Sequence, residues 1–202
     1  MLSKTKQVKY IGWMAVNSFS SSISSVIATN SMLSSIMTIK PSYADITLST
    51  YVGKDIIGQF GGLIYSIYTG KYADKAPEKY ITKGIHMQQC AYYLENLSPF
   101  IKNSDFILPF LGFSSILQNI SYISIGAVNA NNLQKISNEN IGEIYSKVAA
   151  INTLASGLGM ILGISIVNFI PSYMVRTLCI LPVLTGINYY SINKSLQVLK
   201  DA

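Results

Sequence analysis

Two adjacent charges, Lys54 and Asp55, stand at the mouth of an apolar, glycine-rich run over residues 56–65. An ammonium and a carboxylate in such surroundings can hold a polar ligand, exchange a proton or pair with charges elsewhere. An ionisable pair inside a membrane is costly, and is by default a functional-site hypothesis. Glu95, in the stretch Leu94-Glu95-Asn96-Leu97-Ser98-Pro99, and Asn140, Glu143 and Lys147, in a second polar block, complete the candidate ligand or structural polar site. Glu143 and Lys147 are four apart in the favoured order, so they pair on a helix. Lys54 and Asp55 diverge by about 100° on a helix, which makes them poor partners for each other. Both polar blocks precede glycine-bearing apolar helices, so Lys147 is the expected partner of Asp55. The competing reading leaves both groups in the aqueous headgroup layer, where they never meet.

No catalytic set accompanies these residues. His86 is the single histidine, so no multi-histidine metal site is available, and a surface position suits it. Gly58-Gln59-Phe60-Gly61-Gly62 is not a dinucleotide fingerprint, and neither a P-loop nor a nucleophile elbow occurs. Asp55, Asp74, Glu78, Glu95, Glu139 and Glu143 offer carboxylates, but no spacing selects a pair. No catalytic residue, metal or cofactor is therefore expected. Cys90 and Cys179 lie far apart in apolar surroundings and read as small buried hydrophobes in a reducing compartment.

The elements that position these groups read as helices. Of the 202 residues, 50% are hydrophobic and only 12% charged. A soluble domain carries about 25% charged residues, so much of this surface is expected to face lipid. The net charge of +6 comes from scattered lysines, with no basic stripe interleaved with aromatics. That pattern excludes nucleic acid as a partner and suits anionic headgroups. Three lysines precede the uncharged run 10–39. This mimics a signal peptide, but the run is too long and too serine-rich, and reads as a retained first helix with Trp13 as an interfacial anchor. Its serines suit close helix contact and bonds to carbonyls four residues back.

Pro41 breaks that helix, and Asp45 is expected to cap the next. The segments 46–53 and 56–69 are long enough to span only if joined, which would put Lys54-Asp55 within the span. Asp74 and Pro77 mark the start of a helix over 77–97 that Ser98-Pro99 stops. The run 106–134 is one span, with Pro109 in its first turn. Residues 138–147 form a short polar connection, and 148–175 are a further apolar run ended by Pro171. A last apolar stretch covers 177–192. Gly58, Gly61 and Gly62, and then Gly157, Gly159 and Gly163, are the expected helix-packing faces, with Gly159 and Gly163 spaced as GxxxG.

The order and spacing of several blocks resemble the root UVB sensitive family. The blocks are Lys54-Asp55 with Gly58, Gly61, Gly62 and Gly70; Asp74, Pro77 and Tyr80, where the family has Trp; and Leu94 to Pro99. Asn140, Glu143 and Lys147 follow at the family's spacing, then the three glycines and Asn188-Tyr189, with Asn30 to Leu33 a looser match. The resemblance covers nearly the whole chain. The family's Gly-Tyr-Pro entry motif and the Trp-Asp of its first helix are absent, and Ser146 replaces an alanine, so this looks like a divergent, short member. The resemblance implies membrane association, an organelle-linked role and a tie to vitamin B6 homeostasis. It does not supply a mechanism.

The expectation is a single all-α domain over 1–202, a helical membrane bundle of about six or seven helices, three to five of them embedded. Its expected role is a non-enzymatic scaffold or small-metabolite carrier in a membrane, with the lipid bilayer as partner and a homo- or hetero-oligomer with a related membrane protein as its assembly. The alternatives are a membrane-bound enzyme using Lys54 and Asp55, and a soluble helical interaction module.

Overall fold

The computed structural model describes residues 4–39, 44–72, 75–136 and 141–200. These are all-α, with six long helices and no strand among the described residues: α1 (Lys4–Ile39), α2 (Ala44–Thr69), α3 (Pro77–Leu97), α4 (Ser104–Ile136), α5 (Ile141–Phe169) and α6 (Leu181–Lys200). The expected break at Pro41, the expected start at Asp74 and the candidate Asn140 lie outside the described residues.

Several boundaries differ from those read in the sequence, each for a local reason. The segments around Lys54-Asp55 form one continuous helix, α2, so the charged pair sits inside it. That helix already begins at Ala44, one residue ahead of the expected cap Asp45. Residues 141–147 are not a connection but the first two turns of α5, with Glu143 favourably placed against the helix dipole. Pro109 lies inside α4, beyond its first turn, because the helix starts at Ser104 and the Asn103 side chain accepts from the Asp105 N–H. The apolar run after Val148 ends at Phe169, since Pro171 disfavours helical geometry at the residue before it. The chain then makes one helical turn, Tyr173–Val175, and a π-helical stretch, Arg176–Ile180, before α6. Pro182 cannot donate to a carbonyl in the preceding turn, and the wider π turn relieves that mismatch.

Successive helices run in opposite directions. One end gathers Tyr10 and Met14 of α1, Tyr80 and Ile81 of α3, Leu133 of α4, Val148 of α5 and Ile192 of α6. The other end gathers Met32 and Ile36 with Ile107 and Leu111. Between them Ile23 and Ile27 pack on Leu181 and Leu184. Within the bundle α1 packs on α5, α6 and α3, whereas α4 packs on α2 and α3. The molecule is thus two helix groups that share α3.

Glycines allow close helix contacts. A Cβ on Gly61 would lie 2.6 Å from Ile116, one on Gly62 would lie 2.9 Å from Asn119, and one on Gly58 would collide with Ser115. These three seat α2 on α4. Gly163 seats α5 on α1, where a Cβ would lie 2.8 Å from Val26, and Gly159 abuts the Phe19 carbonyl. Gly157 does not share this role, because it faces open space. Its position is about 160° around the helix from Gly159 and about 120° from Gly163, given 3.6 residues per turn.

Beside these apolar clusters the interior holds many polar side chains, and much of the exterior is apolar. Ser20, Ser24, Ser31, Ser35, Asn96, Ser114, Ser115, Ser121, Ser124, Asn188, Ser191, Lys54, Glu95 and Arg176 are buried. Exposed positions include Ile56, Phe60, Leu63, Ile64 and Ile67 on α2, Leu154, Leu158, Ile161 and Ile164 on α5, and Leu178, Val183 and Ile187 around α6. Serines act as expected. Ser24 and Ser31 donate to carbonyls four residues back, while Ser35 donates across to the Ser98 carbonyl at 2.9 Å. The cysteines do not: Cys90 and Cys179 are both exposed, because their neighbours Gln89 and Ala91, and Arg176 and Thr177, take the inward faces.

Among the described residues two helical stretches, 105–134 and 142–169, are long and apolar enough to cross a membrane. This is fewer than the three to five embedded helices expected. Serine and asparagine dilute the hydropathy of α1, and Lys54, Asp55 and Gln59 dilute that of α2. Charge is distributed unevenly. Lys6, Lys9, Lys71, Lys75, Lys79, Lys83, Lys147, Lys194 and Lys200 belong to the end where α1 starts, and the described acids there are Glu78 and Glu143. Trp13, also near that end, is half-buried and meets Tyr190 edge-on at 5.5 Å.

Candidate functional site

A polar cleft separates the two helix groups, with α1 and α5 on one side, α2 and α4 on the other, and α3 as its floor. It comprises two cavities of about 320 and 440 Å³ that share Ser25 and Tyr122. The smaller is lined by Ser25, Thr29, Tyr51, Lys54, Asp55, Gln59, Glu95, Ser115, Gln118, Asn119 and Tyr122. The larger continues past Asn17, Ser18, Ser21, Ser22, Gln88, Tyr92, Asn129 and Ser156. From Asn17 to Thr29 the cleft follows about 18 Å of α1, at 1.5 Å per residue.

Sequence spacing explains how these side chains converge. In α1 the polar positions recur at three and four residues, which places them on one stripe. In α4, Ser115, Gln118, Asn119, Tyr122 and Asn129 do the same. The glycine contact of α2 with α4 then sets Lys54 and Asp55 one turn from Gly58, beside Ser115. Glu95 reaches the same place from the last turn of α3, whose end is held by Ser98, its hydroxyl donating to the Glu95 carbonyl at 2.7 Å.

The charged centre is asymmetric. Lys54 Nζ lies 2.9 Å from Asp55 Oδ1 and 3.8 Å from Glu95 Oε1, and 5.0 Å above the Tyr51 ring. Lys54 and Glu95 are 4% and 2% exposed, whereas the Asp55 side chain is 41% exposed. The Ser115 hydroxyl is at 3.5 Å from Asp55 Oδ1. The Ser114 and Gln118 side chains face the Glu95 carboxyl group, while its Oε1 has no hydrogen-bond donor within reach. With all three groups ionised the centre carries one net negative charge in a place where water is scarce. A carboxylate so placed needs a cation or a donor.

Of the residues expected to form the site, Lys54, Asp55 and Glu95 come together. Glu143 and Lys147 pair with each other on the exposed surface of α5. They belong to the lysine-rich end of the bundle, away from Glu95, so the expected Asp55–Lys147 pair does not form. The reason is local: the long Lys54 stem swings its ammonium to the neighbouring carboxylate despite the divergence of the two Cβ directions. Sequence reasoning missed Gln59, Gln88, Gln118, Asn119 and Tyr122. Their signal was polar side chains at helical spacing in otherwise apolar runs. His86 is exposed, as expected, and bonds to Tyr189. Among the described residues no cluster of three His, Cys, Asp or Glu could hold a metal ion.

A second polar cluster lies off the cleft. Arg176 is 1% exposed, donates to Asn30 Oδ1 at 3.0 Å and lies 4.7 Å from the Tyr173 ring centroid. Beside it Ser31 bonds to Asn96, and Asn96 to Thr177. This network ties α1, α3 and the π turn together.

Comparison with known proteins fits these elements. A domain family described as "Vitamin B6 photo-protection and homoeostasis domain" matches residues 4–200. The protein named "root UVB sensitive 2, chloroplastic" of Arabidopsis thaliana is 25% identical over 191 residues, covering 94% of this chain and 43% of that protein. The chain therefore spans less than half the length of this relative. No solved structure matches the chain. The match runs through α1 to α6 without a break, and the chain belongs to the root UVB sensitive family, whose domain is that of vitamin B6 photo-protection and homoeostasis.

Proposed function

We propose that this chain is an integral membrane protein that carries or holds a small polar metabolite in the cleft between its two helix groups. The observation that carries the reading is the inverted surface: charged and hydroxyl side chains inside, leucine, isoleucine and phenylalanine outside. A water-soluble bundle would lose free energy by exposing so large an apolar surface. In hydrocarbon the same surface is solvated, and polar side chains turn inward to bond one another. The vitamin B6 domain supports a metabolite rather than a macromolecule as the cleft's occupant. The lysine-rich end then faces the side of the membrane that retains positive loops. A membrane of an organelle is its proposed site, as the chloroplast is named for the relative. Assembly with a second copy or a related membrane protein belongs to the same proposal, through the apolar outer faces of α2 and α5.

Alkaline carbonate extraction of expressing membranes tests the embedding. Retention in the pellet is expected, and release to the supernatant overturns it. Access to the cleft is tested in a Cys90→Ser, Cys179→Ser background carrying Ser21→Cys or Ser25→Cys. A water-soluble thiosulfonate is expected to label both positions, at least tenfold faster than it labels the packed position Ser24→Cys. Equal, slow labelling at all three excludes a solute cleft.

A further inference from the structure

We infer that the cleft selects an organic cation, a primary or secondary amine in its ammonium form, with Glu95 as its counter-charge. This rests on reading the cleft as a solute site and names the chemistry of the solute.

The first argument is charge. Lys54 is committed to Asp55 at 2.9 Å and stands off from Glu95 at 3.8 Å. Glu95 is 2% exposed, and although Ser114 and Gln118 face its carboxyl group, its Oε1 has no hydrogen-bond donor within reach. A second ammonium at that oxygen would balance the centre, whereas an anion would meet excess negative charge. The second argument is the sense of the unanswered hydrogen bonds. Asn17 Oδ1, Gln88 Oε1 and Asn129 Oδ1 also line the cleft and also lack a donor. The described buried donors without partners, such as Gln89 Nε2 and Asn188 Nδ2, lie off the cleft. The buried unpartnered atoms along the cleft thus ask for an N–H or O–H. Leaving such groups unpaired costs more than a pair gains, so an occupant that donates is strongly selected over one that does not. The third argument is the walls. Tyr122 lines both cavities, and Lys54 already lies over the Tyr51 ring, so aromatic rings stand beside the charged centre, where a cation is favoured.

The test uses the full chain in detergent and the probe 1,4-diaminobutane. Its controls are 1,4-butanediol, equal in length and neutral, succinate, and sodium chloride at matched ionic strength. A ligand that binds the folded state raises its melting temperature. The diamine is expected to give a saturable rise that the three controls do not give, and Glu95→Gln is expected to weaken it at least tenfold. No rise with the diamine, or an equal rise with succinate, butanediol or salt, overturns the assignment. The wild-type protein supplies a measurement independent of that variant. Dicyclohexylcarbodiimide should modify Glu95, read by mass spectrometry, and the diamine should slow this at least fivefold. Modification at an unchanged rate also overturns it. The cysteine labelling above separates the two readings: a labelled cleft with no amine effect removes the cation and keeps the solute site, and an unlabelled cleft removes both.

Discussion

Two lysine–carboxylate pairs in this protein have the same chemistry and opposite settings. Glu143 and Lys147 pair across one turn of α5 in the open, with side chains 56% and 64% exposed. Lys54 pairs with Asp55 and approaches Glu95 where two of the three side chains are 6% exposed or less. Water solvates the first pair whether or not it closes, and salt screens it, so it adds little to stability. In the second only Asp55 reaches water, and Lys54 and Glu95 are closed off from it. The two buried charges depend on each other, and removing one strands the other. The same residue types are thus helix dressing in one place and a constraint on function in the other.

The largest expected break in that contrast is Lys54→Met. It leaves Glu95 buried without a cation and should lower stability by about 3–5 kcal/mol, the usual cost of stranding a buried charge. Thermal unfolding in detergent measures it; a loss no greater than that of a surface substitution would mean that Glu95 finds another partner. Next come the glycine contacts that hold the cleft walls in register. Gly58→Leu and Gly159→Leu should each cost about 1–3 kcal/mol by overpacking. Gly157→Leu, facing open space, is the internal control and should leave the melting temperature unchanged. A smaller effect is expected for Asp55→Asn, because its carboxylate is partly open to water and Lys54 keeps Glu95. The smallest belongs to Lys147→Gln, with no measurable change. Combined in a double-mutant cycle, Asp55→Asn and Lys147→Gln should be additive, since the two sites share no partner. A measurable coupling energy would bring the two ends of the bundle into contact and contradict the arrangement described above.

Much of the fold was legible in the chain itself. Uncharged runs with apolar residues at three and four announced helices, and prolines and polar breaks gave most of their ends. The glycines at 58, 61, 62, 159 and 163 announced close contacts, although not which helix each would meet. Where the reading missed, a longer-range effect was responsible. Residues 141–147 look like a connection by polarity but are helical, because α5 extends outward beyond its apolar part. Cys90 and Cys179 sit in apolar sequence yet are exposed, because their helix neighbours take the inward faces.

The sequence by itself determined the all-α class, the family, the helix-forming stretches and the identity of Lys54, Asp55 and Glu95 as polar candidates. Composition and periodicity are properties of neighbours along the chain, and neighbours suffice to specify helices. Only the tertiary structure decided that α2 and α4 face α1 and α5 across a polar cleft, that Glu95 joins Lys54 from a different helix, and that Lys147 stays outside. Those outcomes depend on which helix faces meet, and the faces are chosen by the packing of all six helices at once.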